Sequence, residues 1–283
     1  MSATSAALLP RRAARASARR WPAPTLLLAI AVLVIALAWA ILPWLFTAQD
    51  PIAGVALDAL QAPSAAHPFG TDATGRDLLA RVIFGAGNSL SGAAIAVLVG
   101  LVVGTGLGVL AGSVGGLLDE ALMRVVDVLL AIPGLLLSLS VIVLLGFGVM
   151  NAAIAVGVTS IAVFARLARS QVVTVRRSDY VEAAFGSGGS FLQVLWRHVL
   201  PNSLGAVLAL AALQFGSAIL QISTLGFLGY GAPPPIPEWG LLIAESRDYV
   251  ATAWWLTTLP GLVVAAVVLS ANRVASAVRE ATA

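Results

Sequence analysis

Six long apolar runs dominate the sequence and limit what the chain can fold into. A helix needs about 20 mostly apolar residues to cross the hydrocarbon core of a bilayer. Six runs meet this requirement, at residues 25–46, 88–112, 123–147, 149–170, 203–226 and 254–275. Because 59% of all residues are hydrophobic and only 10% are charged, the composition excludes a soluble domain. The sequence predicts an all-α integral membrane protein with six transmembrane helices.

The arginines indicate how these helices are oriented. Cytoplasmic segments next to membrane spans are enriched in Lys and Arg. Placing the N-terminus inside leaves only Arg76, Arg81 and Arg247 of the 16 basic residues outside. Both termini are therefore predicted to be cytoplasmic. The resulting division is a basic tail (1–24), a first span (25–46), an external loop (47–87), a core of five helices (88–275) and a C-terminal tail (276–283).

The N-terminus also allows a second interpretation. Five arginines before Leu26, together with the sequence Ala38-Trp39-Ala40, resemble a cleavable signal peptide. The apolar run continues to Phe46, however, and that length favours an uncleaved first span.

Composition excludes several kinds of chemistry. All 16 basic residues are arginines, and a phosphate-binding P-loop requires a lysine, so ATP hydrolysis by that route is not expected. The chain has no cysteine, and its two histidines, His67 and His198, lie far apart and outside any HExxH motif. We expect no catalytic residue and no metal site. Nucleic-acid binding is not expected either, because the arginines form no continuous basic stripe.

The second apolar run has a glycine at every fourth position. These glycines are Gly100, Gly104, Gly108 and Gly112. Small residues on one helix face let another helix approach closely in lipid. A nucleotide-binding glycine loop is the alternative, but the spacing does not fit GxGxxG and no soluble strand precedes it. The pattern favours a helix-packing surface.

Two external segments are candidates for a docking surface. Their charged and aromatic residues are Asp72, Arg76, Asp77, Glu238 and Trp239. The first segment leads into a helix in which Asp77 and Arg81 are spaced for an i,i+4 ion pair. The second, GYGAPPPIPEWG, is kept irregular by its four prolines. Both segments are either ordinary connections or the docking face for an external protein.

The segment between the fourth and fifth runs is too polar to cross the membrane. Asp179 and Ser190 each precede an acidic or amide residue by three positions, which is typical of a helix-capping box. Glycines around Gly188 allow a reversal between two short helices, and Pro201 disfavours helix at Leu200. The second short helix is apolar around most of its circumference. We expect it to contact either a partner protein or the lipid interface.

This segment resembles the EAA loop of binding-protein-dependent ABC importer permeases. The matching residues are Glu182, Ala183, Ala184, Gly188, His198, Leu200 and Pro201. Phe185 and Ser187 depart from the usual pattern, which predicts a hairpin of altered flexibility or shape.

Three further stretches are similar to the dipeptide, oligopeptide and nickel permease family, specifically its second, C-type subunit. They are HPFGTDATGRDLLARVIFGAGNSL (His67 to Leu90), MRVVDVLLAIPGLLLSL (Met123 to Leu139) and AILQISTLGFLGYGAPPPIPEWG (Ala218 to Gly240). The motif LGFLGYGAPPPIPEWG and the later Ala253-Trp254-Trp255 look most like dipeptide permeases.

The resemblance implies a type I ABC importer permease fold with cytoplasmic EAA coupling helices in residues 179–201. It implies a complex in the bacterial cytoplasmic membrane, with a homologous permease as heterodimer partner, two cytoplasmic ABC ATPase subunits and an extracytoplasmic substrate-binding protein. ATP and Mg would bind the ATPase subunits, and no cofactor is expected on this chain. The expected substrate is a dipeptide, while longer peptides, nickel and metal chelates remain open.

A polar stripe in the fifth run is a candidate for the translocation pathway. Gln214, Ser217 and Gln221 lie on one helix face, with Thr224 close to it. Polar groups at membrane depth face other helices or a water-filled cavity, so structural hydrogen bonds are an equal alternative. Asp127 is expected to pair with a neighbouring arginine rather than to relay protons.

Two other classes of function are an intramembrane enzyme and a self-contained channel or secondary transporter. An enzyme would need a catalytic pair at membrane depth, and no predicted span contains a histidine. A self-contained transporter would act without the ATPase subunits.

Overall fold

The computed structural model describes residues 24–282, with side chains as far as residue 277, so most of the predicted basic tail lies outside it. All regular elements in this range are helices, as predicted. They are α1 (Pro24–Ile41), α2 (Leu78–Val99), α3 (Thr105–Val114), α4 (Gly116–Ala131), α5 (Gly134–Leu145), α6 (Val149–Arg176), α7 (Asp179–Gly186), α8 (Phe191–Val194), α9 (Leu200–Phe227), α10 (Trp239–Glu245) and α11 (Trp255–Thr282). Short 3₁₀ helices occupy Pro43–Leu45, Ala56–Asp58 and Arg247–Tyr249.

Five of the spans are long apolar helices, and the third predicted span is bent. Helices α4 and α5 together are long and apolar enough to cross the membrane but meet at 99°. The predicted span over 123–147 corresponds to this bent pair, whose break at residues 132–133 the apolar pattern did not predict. Pro133 is the cause, because it holds the preceding Ile132 in an extended conformation (φ −84°, ψ 129°) at the end of α4.

The second span is longer than predicted. It runs as one helix from Leu78 to Val114, 37 residues, through a π-helical turn at Gly100–Gly104. Its start precedes the predicted residue 88 because Asp77 caps it, accepting a hydrogen bond of 2.7 Å from the Ala80 amide. The loop before it therefore ends at residue 77 rather than 87.

The glycine stripe of this long helix packs against α6, as predicted. A β-carbon built on Gly100 would lie 2.6 Å from Cβ of Ser160, and one built on Gly108 would lie 2.7 Å from Cβ of Ala168. Real β-carbons do not approach so closely, so any larger residue would push the two helices apart. The stripe sets the separation between the second span and α6.

The first span ends earlier than predicted. Helix α1 stops at Ile41, and Pro43–Leu45 forms a separate 3₁₀ turn before residue 46. The cause is Pro43, which has no amide hydrogen for the helix and disfavours helical backbone at the preceding Leu42 (φ −131°, ψ 52°). Helix α1 packs against α2 and α11 at one side of the bundle, while α6 lies at the centre and contacts α2, α3, α5 and α9.

The spans connect two folded ends of the bundle. We call residues 47–77 and 228–254 the cap, and residues 179–199 the hairpin. Helix α6 ends at the hairpin and α9 leads from it to the cap. The two regions with candidate functional residues therefore lie at opposite ends of the same helices.

Candidate functional site

The hairpin consists of two short helices joined by a tight turn, as predicted. The reversal uses Gly188, whose φ of +89° favours glycine. The expected capping boxes do not form. Helix α7 begins after Ser178, whose hydroxyl donates to the Val175 carbonyl at 2.5 Å instead of capping the helix. Ser190 occupies the cap position of the second helix without a side-chain hydrogen bond.

A small apolar core holds the hairpin onto the end of α6. Val181, Val194 and Val199 are fully buried against Val172 of α6. A β-carbon on Gly189 would lie 2.7 Å from the Ala184 carbonyl oxygen, so the turn closes tightly over this core. The hairpin is therefore a packed extension of the bundle.

The opposite face of the hairpin exposes large apolar side chains. Leu192 and Trp196 are 63% and 70% exposed, one helical turn apart. Tyr180, Phe185 and Phe191 are exposed as well. An apolar face of this kind marks a contact with a protein or a membrane.

The structure places the predicted EAA-loop residues in the hairpin and at the start of α9. Glu182, Ala183, Gly188 and Pro201 are exposed, whereas Ala184, His198 and Leu200 are half-buried. The first three exposed residues share the hairpin with the exposed aromatic side chains.

The expected helix break at Leu200 does not occur. The chain is helical from Phe191 to Phe227, with a π-helical turn at Leu195–Val199 directly before Pro201. In that turn the Leu200 amide donates to the Leu195 carbonyl, five residues back. Proline in a helix leaves the carbonyl four residues before it without an amide partner and crowds that same carbonyl, which for Pro201 belongs to Arg197. In the next turn, Asn202 donates to the His198 carbonyl at 2.6 Å and Ser203 to the Val199 carbonyl at 2.8 Å.

Arginines of α6 bind the elbow between α3 and α4. Arg169 forms two hydrogen bonds to Asp119, of 2.9 and 2.6 Å. Arg176 donates to the carbonyls of Gly112 and Ser113 at the end of α3, at 2.9 and 2.5 Å. The hairpin begins three residues after Arg176, so these bonds connect its base to two other spans. Sequence reasoning did not identify Arg169 or Arg176, although their position in the last turns of an apolar helix was a usable signal.

Asp127 pairs with Arg166 of α6. The expectation that it pairs with a neighbouring arginine is confirmed.

The polar stripe of α9 is only partly covered within the chain. Ser217 and Thr224 are exposed, and Gln214 and Gln221 are half-buried. Gln221 lies beside the bend of the third span, where its Oε1 would be 3.9 Å from a β-carbon on Gly134. The stripe and the bend thus share one side of the chain, and pathway lining stays a prediction.

The expected ion pair between Asp77 and Arg81 is wrong. Asp77 caps α2, and its Oδ2 lies 2.9 Å from Nδ1 of His67. Arg81 instead donates to Glu245 at the end of α10, with Nη2 2.9 Å from Oε2. The sequence spacing could not reveal this pair, because 164 positions separate its members.

Asp72 organises the loop that precedes α2. Its Oδ1 accepts hydrogen bonds from the amides of Thr74 and Arg76, and its Oδ2 lies 2.6 Å from Nε of Arg76. Burial on its own raises the pKa of Asp72, but these hydrogen bonds outweigh burial and hold its pKa below the ordinary value. Asp72 is therefore ionised at neutral pH.

Glu238 and Trp239 are fully buried, so their side chains are not available to a docked protein in this structure. Glu238 accepts hydrogen bonds from the amides of Gly240 and Leu241, both 2.9 Å, and from Ser89 at 3.2 Å. Trp239 donates its indole N–H to the Val82 carbonyl at 2.9 Å. Both residues attach α10 to α2. Docking at the cap stays a prediction for its exposed residues.

The carboxyl group of Glu238 has only neutral hydrogen-bond donors around it. All three of its hydrogen-bond donors are uncharged, and burial raises its pKa. Within the described residues no group of three or more His, Cys, Asp or Glu side chains could hold a metal ion.

Helical spans with a packed hairpin at one end and a folded cap at the other are the architecture of a polytopic membrane protein. Solved structures share this architecture. The methionine ABC transporter MetNI, in inward-facing conformations, matches with TM-scores of 0.56 and 0.55 at 20% and 19% identity. In both cases the match covers 71% of this chain and 96–97% of the other. The fold is that of a type I ABC importer permease.

Residues 104–281 match the family described as the binding-protein-dependent transport system inner membrane component. The chain belongs to this family and is a multi-pass inner-membrane component of an ABC importer. The dipeptide transport system permease protein DppC of Alkalihalophilus pseudofirmus is 40% identical over 78% of this chain and 73% of its own length. The probable D,D-dipeptide transport system permease protein DdpC of Escherichia coli is 42% identical over 81% of this chain and 76% of its own length. The glutathione transport system permease protein GsiD of Pectobacterium atrosepticum is 38% identical over 78% of this chain and 73% of its own length.

Proposed function

We propose that this chain is one of two permease subunits in an ATP-driven importer of short peptides, with dipeptides as the primary substrate. Its relatives are named for dipeptides, D,D-dipeptides, di- and tripeptides and glutathione. These compounds share amide bonds and a free carboxylate. Nickel, metal chelates and peptides longer than tripeptides are the alternative cargoes, and none of the relatives described above is named for them.

The proposed orientation has the hairpin end in the cytoplasm. Arg124, Arg166, Arg169, Arg176 and Arg177 lie on α4, on α6 and next to the hairpin, at that end of the bundle. This distribution agrees with the enrichment of basic residues on the cytoplasmic side. The cap then faces the extracytoplasmic space.

The observation that carries the proposal is the exposed apolar face of the hairpin on a rigid base. Leu192 and Trp196 would insert into a groove of a cytoplasmic ABC ATPase subunit, with Glu182 and Ala183 beside them. ATP and Mg bind that subunit, and nucleotide-driven closure moves the hairpin. The unbroken helix from Phe191 to Phe227 carries this motion towards the cap.

A homologous permease would cover the stripe of α9 and the bend of the third span. Gln214, Ser217 and Gln221 then line the pathway between the two permeases. Unpaired backbone groups at a helix bend are tolerated at membrane depth where they are buried in protein or line a water-filled cavity. The bend beside Gln221 supports this location.

Cross-linking tests the proposed function. The chain has no cysteine, so a single Ala183→Cys variant carries one defined attachment point. In membranes with active uptake, Ala183→Cys should cross-link to the ATPase subunit. Leu57→Cys is a matched control, because Leu57 is 94% exposed but belongs to the cap. Cross-links from Ala183→Cys that never reach an ATP-hydrolysing subunit would refute the proposal.

A further inference from the structure

Arg81 is buried with part of its guanidinium group unpaired. Its side chain is 0% exposed, and only Nη2 has a hydrogen-bond partner, Glu245. Nε and Nη1 have none in the structure. A buried cation with free donors is costly, and such groups call for an explanation.

Arg81 belongs to a cluster of two acids and two arginines, which we call the charge cluster: Asp72, Arg76, Arg81 and Glu245. Asp72 and Arg76 come from the loop of the cap, Arg81 from the second span, and Glu245 from the end of α10. The cluster therefore joins three separate elements of the fold. It is the ionic contact between the two halves of the cap and the second span.

Each carboxylate of the charge cluster lies within 4 Å of both guanidinium groups. Asp72 Oδ2 is 2.6 Å from Arg76 Nε and 3.5 Å from Arg81 Nη1. Glu245 Oε2 is 2.9 Å from Arg81 Nη2 and 3.7 Å from Arg76 Nη2. A shift of about 1 Å would turn both longer distances into hydrogen bonds. Such a shift would give a partner to Nη1, one of the two unpaired donors of Arg81.

The surroundings leave room for that shift. A cavity of about 40 Å³ lies against the cluster and is also lined by Ser246, Tyr249 and Leu256. A cavity needs only about 10–15 Å³ to hold a water molecule, so water can enter and support either pairing. The side chain of Glu245 is 29% exposed, which lets it move more easily than Arg81.

We propose that the charge cluster is a two-position link between the cap and the second span, with Arg81 and Glu245 as its positioning residues. In one position Glu245 binds Arg81, and in the other Asp72 takes Arg81 while Glu245 binds Arg76. Both positions keep one acid for each arginine, so neither leaves a charge of the cluster without an opposite charge. A protein docked on the cap shifts the balance by moving α10 relative to the loop. This inference rests on the proposed function, since it assumes a docked binding protein.

The test uses the complete importer, with both permeases and both ATPases in proteoliposomes, and measures ATP hydrolysis with and without loaded binding protein. Arg81→Lys keeps the charge but cannot bind two carboxylates as a planar fork. Glu245→Gln keeps the shape but removes the charge. For both variants we expect basal hydrolysis close to that of the wild type and a stimulated-to-basal ratio lowered by about fivefold or more, as for coupled sites.

The control is Arg247→Lys, because Arg247 pairs with Asp248 at 3.7 Å on the exposed surface of the same cap. It should leave the ratio unchanged. The double variant Arg81→Lys with Glu245→Gln should lower the stimulated-to-basal ratio little more than either single variant does, since both substitutions act through one link. The inference would be overturned if Arg81→Lys and Glu245→Gln kept the stimulated-to-basal ratio of the control, or if they lost basal and stimulated hydrolysis equally. A wild-type importer without stimulated hydrolysis would instead refute the proposed function.

Discussion

Gly226 and Glu238 touch with no space for a side chain between them. A β-carbon on Gly226 would overlap Oε2 of the buried carboxylate. Gly231 borders the same oxygen, at 3.3 Å from a β-carbon built there. The segment before α10 therefore depends on glycine to bring an acid against α9.

Gly226→Ala should destabilise the protein by about 1–3 kcal/mol, because the added methyl group must displace Glu238 or the helix. Thermal unfolding of the purified protein in detergent measures the change. Gly205→Ala is the matched control, since a β-carbon on Gly205 of the same helix meets nothing within 4 Å. It should be neutral or stabilising by up to about 1 kcal/mol. Equal effects of the two substitutions would contradict this packing.

The stability of the cap should depend on the ionisation of Glu238. Burial raises its pKa in the folded state, so the folded protein binds the proton more tightly than the unfolded chain does. Its contribution to the free energy of unfolding is complete below the unfolded pKa and is lost as pH rises through the raised folded pKa. Glu238→Gln should remove this pH dependence, although its single amide oxygen can accept from only one of the two sides that the carboxylate oxygens now serve, so the variant should be less stable overall. Unfolding temperatures of the wild type and of Glu238→Gln, measured across that pH range, test the direction of this pH dependence. A wild-type stability that rises with pH in this range would contradict the prediction.

Arg176→Gln should uncouple ATP hydrolysis from uptake, because it frees the carbonyls of Gly112 and Ser113 at the base of the hairpin. A hydrogen bond to a charged group contributes about 1.5–3 kcal/mol. Uptake per ATP hydrolysed in proteoliposomes is the measurement. Arg177→Gln is the control, since Arg177 is exposed and makes no side-chain bond among the described residues. A normal ratio in Arg176→Gln would show that these bonds do not transmit motion.

Gln221→Cys should react with a water-soluble thiol reagent at a rate that depends on nucleotide, because the pathway opens to opposite sides during the cycle. Leu208→Cys is the comparison on the same helix. Leu208 is 59% exposed but lies on a different face from Gln221, since residues 13 positions apart in a helix do not align. Its reaction rate should not change with nucleotide. Constant reactivity at Gln221→Cys throughout transport would exclude it from the pathway.

Local patterns in the sequence predicted those features that depend on neighbouring residues. The apolar runs predicted the spans, the glycine spacing predicted a packing face, and Gly188 marked the turn of the hairpin. The effect of each proline depended on its surroundings. Pro133 bends a span that the apolar pattern predicted as one run, whereas the helix continues past Pro201 after a π-helical turn.

Long-range contacts were beyond such patterns. Glu238 and Trp239 look like surface residues because prolines and glycines surround them, yet both are buried against α2. Arg81 was assigned to its helical neighbour Asp77, but its partner Glu245 lies at the far end of the sequence. Charge and spacing describe what a residue can bind, and only the packed chain decides which partner reaches it.

The uninterrupted helix from Phe191 to Phe227 contains 37 residues, which corresponds to a rod of about 55 Å. One end bears Leu192 and Trp196, and the other bears Gly226, in contact with Glu238. Under the proposed function, a displacement of the hairpin would pass along this one helix to Gly226, and the carboxylate of Glu238 would be the first group outside the helix to be pushed.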